Sequence, residues 1–295
     1  MEWKTKLTQM TGIKFPVIMG AFAGVGRAKF AASFSNAGGL GIITALNFDT
    51  VDQFLKELNL MNSLTNKPFG INFSIMPPQM AKKVPKPRSE DFYIDFLDVA
   101  LEHGVKIFTT SAYQAPHIGK KIHDNGGLWF HKCATLKHAL SAEKLGADAV
   151  TLVGLEGTGF KNPLQNTTLV NITMAKKLLK IPVIAAGGIG NARGFLAALA
   201  MGAEAVCFGT AILATEECTI PSSYKMKLIN QDIFDKEFYK QIYHFQLKDK
   251  SIWSPAAGHI EKVVSLKIFI ENIISEAETI LKSWGYRGNE FKTIQ

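Results

Sequence analysis

The stretch from residue 181 to residue 210 decides the fold. It reads Ile181-Pro-Val-Ile-Ala-Ala-Gly-Gly-Ile-Gly190 and continues, one short helical segment later, as Ala205-Val-Cys-Phe-Gly-Thr210. Each half begins with a short apolar run, typical of a strand in a parallel sheet that helices cover on both faces. Each run ends in glycine, where the chain would turn into the next helix. Two consecutive units of this kind predict an α/β protein with a parallel sheet.

Apolar runs of the same kind recur along the chain, with amphipathic segments between them. There are eight, at residues 15–20, 40–44, 69–75, 106–111, 128–133, 149–154, 182–188 and 205–212. The segment Leu145-Gly-Ala-Asp-Ala-Val150 also recurs as Met201-Gly-Ala-Glu-Ala-Val206, each time where a helix would end and a strand begin. Strict alternation with eight strands predicts a (β/α)₈ TIM barrel. A doubly wound open sheet would show the same repeats and remains the alternative.

Residues 216–255 fall outside this alternation. They are rich in Lys, Tyr, Phe and Gln and are too long for an ordinary connection. We therefore predict an inserted helical lid or subdomain at 216–255, with the barrel formed by residues 1–215 and 256–295. The apolar stripe of Ile260–Trp284 predicts the closing helix, and the prolines of residues 76–89 predict a loop.

The composition limits the class of protein. Of the 295 residues, 47% are hydrophobic and 20% are charged, which is enough apolar material for a core and argues against disorder. The three cysteines form no C-x-x-C pair, which disfavours a disulfide framework or a zinc ribbon and favours the cytoplasm. The net charge of +8 is dispersed along the chain, so we expect no nucleic-acid partner. We expect a small-molecule substrate instead, and the excess of Lys and Arg over Asp and Glu favours a negatively charged one. No membrane segment is evident, and a homodimer is a possible assembly.

The glycine-rich ends of the last two strands indicate a phosphate site. Backbone amides at Gly187–Gly188 and Gly209–Thr210 would lie at adjacent strand ends. Backbone N–H groups and helix N-termini bind phosphate without charged side chains, and in barrels this occurs after strands seven and eight. The alternative is that these glycines merely permit tight turns.

The order and content of several motifs resemble the nitronate monooxygenases, formerly called 2-nitropropane dioxygenases, and the related flavin-dependent enoyl-acyl-carrier-protein reductases. The motifs are Pro16-Val-Ile-Met-Gly-Ala-Phe22, Asn36-Ala-Gly-Gly-Leu-Gly-Ile42, Gly70-Ile-Asn72, Ala185-Ala-Gly-Gly-Ile-Gly190 and Phe208-Gly-Thr-Ala211. The resemblance covers roughly residues 10–215. It implies a (β/α)₈ barrel that holds FMN non-covalently at the carboxyl ends of the strands, and an oxidoreductase activity.

The resemblance also implies roles for individual residues. Gly20, Ala21 and Phe22 would lie beside the isoalloxazine ring, and Asn72 would hydrogen-bond the flavin. The turns at Gly187–Gly188 and Gly209–Thr210 would hold the phosphate. Gly157 would shape a loop over the flavin.

Lys132 is a candidate on physical grounds as well. It lies in the apolar run Leu128-Trp-Phe-His-Lys-Cys133, and a lysine in a buried strand is costly unless it is paired or functional. A positive charge there would stabilise reduced, anionic FMN. The alternative is a side chain that extends past the strand end into solvent. Because side chains alternate along a strand, only one of His131 and Lys132 can face the barrel axis.

One departure from the family pattern affects catalysis. The family's catalytic histidine follows strand six, and here that stretch reads Glu156-Gly-Thr-Gly-Phe160, so Phe160 occupies the histidine position. A phenyl ring transfers no proton, which puts both nitronate oxidation and enoyl reduction of the family's type in doubt. Candidate replacements are Glu156, His131 and His259, and no metal site is predicted. Alternative functions are an enoyl-thioester reductase-like flavoenzyme or a non-redox barrel that binds a phosphorylated ligand.

Overall fold

The computed structural model describes residues 1–76, 88–159, 162, 164–243 and 253–293. The strands are β1 (Glu2–Lys4), β2 (Val17–Met19), β3 (Gly41–Thr44), β4 (Phe69–Ile75), β5 (Ile107–Ala112), β6 (Leu128–Cys133), β7 (Ala149–Val153), β8 (Val183–Ala186), β9 (Ala205–Phe208) and β10 (Glu290–Lys292). The α-helices are α1 (Lys6–Thr11), α2 (Ala28–Asn36), α3 (Val51–Leu64), α4 (Glu90–Glu102), α5 (Pro116–Asp124), α6 (Leu136–Lys144), α7 (Thr168–Leu178), α8 (Ala192–Ala200), α9 (Ser222–Ile229), α10 (Lys236–Tyr243) and α11 (Leu266–Ser283).

Strands β2 to β9 form a parallel barrel. The order in the sheet is β2-β9-β8-β7-β6-β5-β4-β3, and each of the eight predicted apolar runs overlaps one of these strands. A parallel bridge between Ile18 and Leu40, just before β3, joins the two ends of this order. The (β/α)₈ barrel is therefore confirmed, and the open sheet, whose edges would stay unpaired, is wrong.

Local capping explains where several helices begin. Thr50, Ser89, Thr135, Thr167 and Asn191 each precede a helix, and each side chain accepts a hydrogen bond from a backbone N–H in the first turn. Such caps satisfy donors that the helix itself cannot. At the other helix ends, Gly146 and Gly202 adopt left-handed φ values of 97° and 103°, as the glycine signals predicted.

The segment 216–255 is partly helical, and one predicted boundary is wrong. It contains α9 and α10, while 244–252 lies outside the described residues. The lid role stays a prediction. The closing helix does not begin at Ile260: a short 3₁₀ helix (Pro255–His259) comes first, and α11 starts at Leu266, where Ser265 Oγ accepts from Ile268 N. The proline segment predicted as a loop lies outside the described residues over 77–87.

A two-stranded parallel sheet that was not predicted from the sequence lies at the amino end of the barrel. Strands β1 and β10 pair through Trp3 and Phe291, whose ring centroids lie 5.0 Å apart. Trp3 also packs edge-on against Phe195 of α8 at 5.2 Å. The buried Glu204 accepts from Lys6 N at 2.8 Å and Thr293 Oγ1 at 2.7 Å, which ties both termini to β9.

None of the helices in the described ranges combines the length and the apolar character needed to cross a membrane.

Candidate functional site

Alternation along β6 fixes which side chains face the barrel interior. A Cβ on Gly119 of α5 would lie 2.3 Å from the Trp129 ring, so Trp129 points outward against the helices. His131, two residues on, shares that outer face, and Phe130 and Lys132 point inward. The register pairs Lys132 with Ser111 of β5 and Thr151 of β7, so these residues share the inner face near the carboxyl ends of their strands.

His131 lies between the sheet and the helices, away from the interior. Its Nδ1 is 2.8 Å from Thr110 Oγ1, and the ring is 2% exposed. Burial, followed by the positive charge that His138 can carry, lowers the pKa of His131 to about 4. A neutral, buried imidazole on the outer face does not reach the mouth, so the inward member of the pair is Lys132. Lys132 lies near Cys207 of β9: burial raises the pKa of that thiol, and the Lys132 charge opposes the rise.

A polar network lines the interior beside Lys132. Asn72 Nδ2 donates to Thr109 Oγ1 at 2.8 Å, and Ser74 Oγ donates to Asn72 Oδ1 at 3.1 Å. The hydroxyls of Ser74 and Ser111 lie 3.1 Å apart. Asn72 was predicted from the sequence, whereas Ser74, Thr109 and Ser111 were not. Their signal was available, because small polar residues interrupt otherwise apolar strands there.

The loop after β2 packs across two neighbouring strands. Gly20 N donates to Phe208 O at 2.8 Å, and a Cβ on Gly20 would lie 3.1 Å from that same oxygen. Phe22 N donates to Thr44 Oγ1 at 3.0 Å. Gly20, Ala21 and Phe22 are therefore held at the carboxyl end of the barrel, between β9 and β3.

The loops after β7 and β8 are in direct contact. Gly187 and Gly188 have left-handed φ values of 105° and 74°. A Cβ on Gly187 would lie 2.9 Å from Gly157 N, and a Cβ on Gly188 would lie 3.1 Å from Glu156 Cβ. Gly154 N donates to Ala186 O at 2.9 Å. Both the backbone conformation and the lack of space require glycine here.

A set of backbone amides at the ends of β8 and β9 is left without protein partners. Among the described residues, the amides of Gly187, Gly188, Gly190, Gly209 and Thr210 donate to no protein acceptor. A Cβ on Gly209 would meet no atom within 4 Å, so open space lies beside this turn. Thr210 Oγ1 accepts from Ser254 N at 2.9 Å, which leaves the hydroxyl hydrogen free to donate. Donors around open space fit an anionic group such as a phosphate.

Glu156 and His259 both lie beside the turn that follows β8, Glu156 against Gly188 and His259 against Gly190. Glu156 Oε2 accepts from Thr168 N at 2.8 Å and lies 2.9 Å from Thr168 Oγ1, at the N-terminus of α7. Burial first, and then the charge of Glu156, raises the pKa of Tyr243, which places the end of α10 near the same loop. The exposed His259 has Nδ1 3.2 Å from Asn191 Nδ2, and a Cβ on Gly190 would lie 3.0 Å from its Cδ2.

Two predictions from the sequence concern Phe160 and metal binding, and the described residues bear on them only in part. Phe160 lies outside the described residues, so its place at the position of the family's catalytic histidine stays a prediction. In the part of the chain that the structure describes, no three His, Cys, Asp or Glu side chains come together as metal ligands.

Comparison with known proteins decides the family. The nitronate monooxygenase family model matches residues 4–243. The chain belongs to the nitronate monooxygenase family. This is a family of flavin-dependent oxidoreductases, so the resemblance predicted from the sequence is confirmed and the predicted class of enzyme agrees with it.

Relatives within and around the nitronate monooxygenase family differ in their named reactions. The chain is 29% identical, over 78% of its length, to a (3aS,4S,5R,7aS)-5-hydroxy-7a-methyl-1-oxo-octahydro-1H-indene-4-carboxyl-CoA dehydrogenase of Mycobacterium tuberculosis, and spans 61% of that protein. It is 29% identical to a probable nitronate monooxygenase of Staphylococcus aureus, covering 77% of this chain and 72% of the relative. The structure of FabK from Thermotoga maritima superposes with a TM-score of 0.80 and 28% identity, covering 96% and 99% of the two chains.

Proposed function

We propose that this protein is an FMN-dependent oxidoreductase that holds the FMN phosphate on the amides after β8 and β9. The observation that carries the proposal is the set of five amides, from Gly187 to Thr210, that find no acceptor among the described residues and lie next to the open space at Gly209. Several backbone N–H donors and one side-chain hydroxyl of a protein can together bind a phosphate without a lysine or arginine. FMN, unlike a dinucleotide, needs no second binding segment for an adenosine.

The inner face of the barrel supplies the rest of the flavin site. The backbone of Gly20–Phe22 would flank the ring system, and Asn72 would offer its amide to the flavin edge. Lys132 brings a positive charge onto the inner face beside Ser111 and Thr151. The cofactor, when bound, supplies two-electron transfer at its N5 position. The protein's part is to orient the ring, exclude water and stabilise negative charge on it.

A simple assay of the cofactor tests the proposal. The purified full-length protein should show flavin absorbance, and heat-released cofactor should have the mass of FMN. Reconstitution of a colourless preparation should reach one FMN per chain. A protein that neither contains flavin nor binds added FMN would favour the non-redox alternative, a barrel for a phosphorylated ligand.

The substrate proposal rests on Phe160. A nitronate is already deprotonated, so its oxidation can proceed without a base, whereas a neutral nitroalkane must first lose a proton. General acid–base catalysis contributes about 10²- to 10⁴-fold. We therefore expect weak oxidation of nitronates and essentially none of neutral nitroalkanes. Phe160→His should raise activity on nitroalkanes more than on nitronates. Efficient wild-type turnover of a nitroalkane would contradict this, and alanine variants at Glu156 and His259 would then locate the base.

A thioester substrate is the second candidate. The named carboxyl-CoA dehydrogenase and FabK are the similar proteins that favour it. Anaerobic reduction of the bound flavin by NADH or NADPH, followed by its reoxidation with an enoyl thioester, would distinguish this reaction from nitronate oxidation. A cytoplasmic location, a negatively charged small-molecule partner and a homodimer remain predictions from the sequence.

A further inference from the structure

Thr168 sits behind the glycine turn that follows β8. It is the first residue of α7 and is 7% exposed. Its Oγ1 lies 2.9 Å from the carbonyl oxygen of Gly187 and 3.3 Å from that of Ala186. A single hydroxyl on one helix therefore lies against two successive carbonyls of the turn.

Glu156 holds Thr168 in this place. Its Oε2 accepts from Thr168 N at 2.8 Å, where the positive N-terminal end of α7 favours a carboxylate. The same oxygen lies 2.9 Å from Thr168 Oγ1. Thr168 Oγ1 has only one hydrogen to donate, and it lies 2.9 Å from both Glu156 Oε2 and the Gly187 carbonyl oxygen, so the two acceptors share it. There is no spare room, since a Cβ on Gly154 would lie 2.1 Å from Thr168 Oγ1.

The geometry of the peptide bond determines where the amides on the opposite side of the turn point. In a planar trans peptide the C=O and the following N–H point in opposite directions. The carbonyls of Ala186 and Gly187 point at Thr168, so the amides of Gly187 and Gly188 point away from it. These are two of the amides that lack an acceptor within the described part of the chain. Two consecutive glycines have little steric preference of their own, so the turn needs an external contact to keep this orientation.

We propose that Thr168, held by Glu156, is a positioning residue that aims the amides of Gly187 and Gly188 at the phosphate of the cofactor. The inference rests on the proposed function and adds two residues to it. It gives Glu156 the task of ordering the phosphate turn rather than transferring a proton to substrate.

Comparing FMN with riboflavin, which lacks the phosphate, isolates this role. Dissociation constants of both would be measured with the flavin-depleted full chain for the wild type, Thr168→Val and Thr168→Ser. We expect Thr168→Val to weaken FMN about tenfold, the effect of one hydrogen bond that orients a charged contact, and to leave riboflavin unchanged. Thr168→Ser keeps the hydroxyl and should therefore bind FMN as the wild type does. Thr173→Val is a matched control, because Thr173 lies on the same helix and its hydroxyl donates to Leu169 O.

The outcomes separate this inference from the cofactor assignment. Equal weakening of FMN and riboflavin by Thr168→Val would mean a general structural role and would overturn the inference. So would a wild-type preference for FMN that Thr168→Val leaves intact. If the wild type binds the two flavins equally, the phosphate placement itself is wrong and the inference falls with it. Should Thr168→Val not fold, Thr168→Ala removes the same hydroxyl and is judged by the same ratio. Glu156→Ala should lower the FMN preference in the same direction, because Thr168 N then loses the carboxylate that holds Thr168 in place.

Discussion

The two ends of the barrel are built in opposite ways. At the amino end, β1 pairs with β10, the Trp3 ring is packed on two aromatic rings, and Glu204 Oε2 accepts hydrogen bonds from both terminal segments. At the carboxyl end, five amides between Gly187 and Thr210 have no protein acceptor among the described residues. The amino end ties both termini down through Glu204, although Trp3 Nε1 is buried there without a hydrogen-bond partner among the described residues. The carboxyl end instead leaves a group of backbone donors beside open space.

The difference separates stability from function in this molecule. Donors left unpaired at a partly buried site cost free energy unless a ligand satisfies them. A barrel can tolerate this at one end only if the rest of its packing is secure. Substitutions at the two ends should therefore have different effects. Variants at the carboxyl end should lose FMN while staying folded. Variants at the amino end should be less stable, while the molecules that remain folded still bind FMN.

The largest effect is expected from Gly209→Val. The Cβ of the new side chain would meet no atom within 4 Å, so valine would extend into the open space beside the amides and occupy the room proposed for the phosphate. Losing several charge-assisted hydrogen bonds should weaken FMN about a hundredfold or more. Flavin content after purification and the dissociation constant measure this, with circular dichroism as the control for folding. Stoichiometric FMN in this variant would refute the phosphate placement.

Gly188→Val should also lose flavin, but for a mixed reason. Its backbone has a left-handed φ of 74°, and its Cβ would press on Glu156 Cβ. A branched side chain there strains the turn as well as blocking the cradle, so Gly209→Val is the cleaner variant.

The second effect belongs to the amino end. Trp3→Ala removes a 3% exposed ring from between Phe195 and Phe291, and such truncations cost about 3–5 kcal/mol. We expect the free energy of unfolding to fall by about that amount in urea denaturation, with the FMN affinity of the folded protein unchanged. A variant that keeps its stability but loses flavin would break the proposed separation between the two ends.

The third effect tests Lys132. If its charge lies beside the bound flavin, Lys132→Met should lower the flavin midpoint potential. The Coulomb energy at 4–5 Å and an effective dielectric near 20 is about 3–4 kcal/mol before screening and relaxation, so a decrease of tens of millivolts is expected. Lys137→Met, an exposed lysine of α6, is the matched control and should leave the potential unchanged. The same potential in both variants would place the Lys132 ammonium away from the flavin.

The sequence predicted the barrel well and its polar details poorly, for physical reasons. Strands apolar on both faces and glycines after helices are local signals, so β2 to β9 could be located from the pattern alone. The pairing of β1 with β10 joins residues almost a full chain length apart, and three-residue polar strands carry no local signal. Alternation along β6 correctly required that only one of His131 and Lys132 face inward, but choosing between them needed the packing of Trp129 on Gly119. Thr168 was missed because its contacts with Gly187 and Glu156 form only when the loops after β7 and β8 pack against the start of α7.

The smallest effect concerns backbone strain at the carboxyl end. Ala112, the last residue of β5, is the one non-glycine residue with positive φ, 73°, among the described residues, and Tyr113 N donates to Ser111 O across it at 3.1 Å. A left-handed alanine costs about 1–2 kcal/mol, and glycine avoids this cost. Glycine also raises the conformational entropy of the unfolded chain, which offsets part of the stabilisation. Ala112→Gly should therefore raise the free energy of unfolding by about 0.5–1 kcal/mol in urea denaturation. Ala37→Gly is the control: Ala37 ends α2 with an ordinary φ of −77°, so the same substitution should destabilise the protein there. Equal destabilisation by both variants would mean that β5 ends without strain. A stabilised Ala112→Gly variant with lower turnover would instead show that the strained turn, which holds the half-exposed Tyr113 at the mouth, serves the reaction.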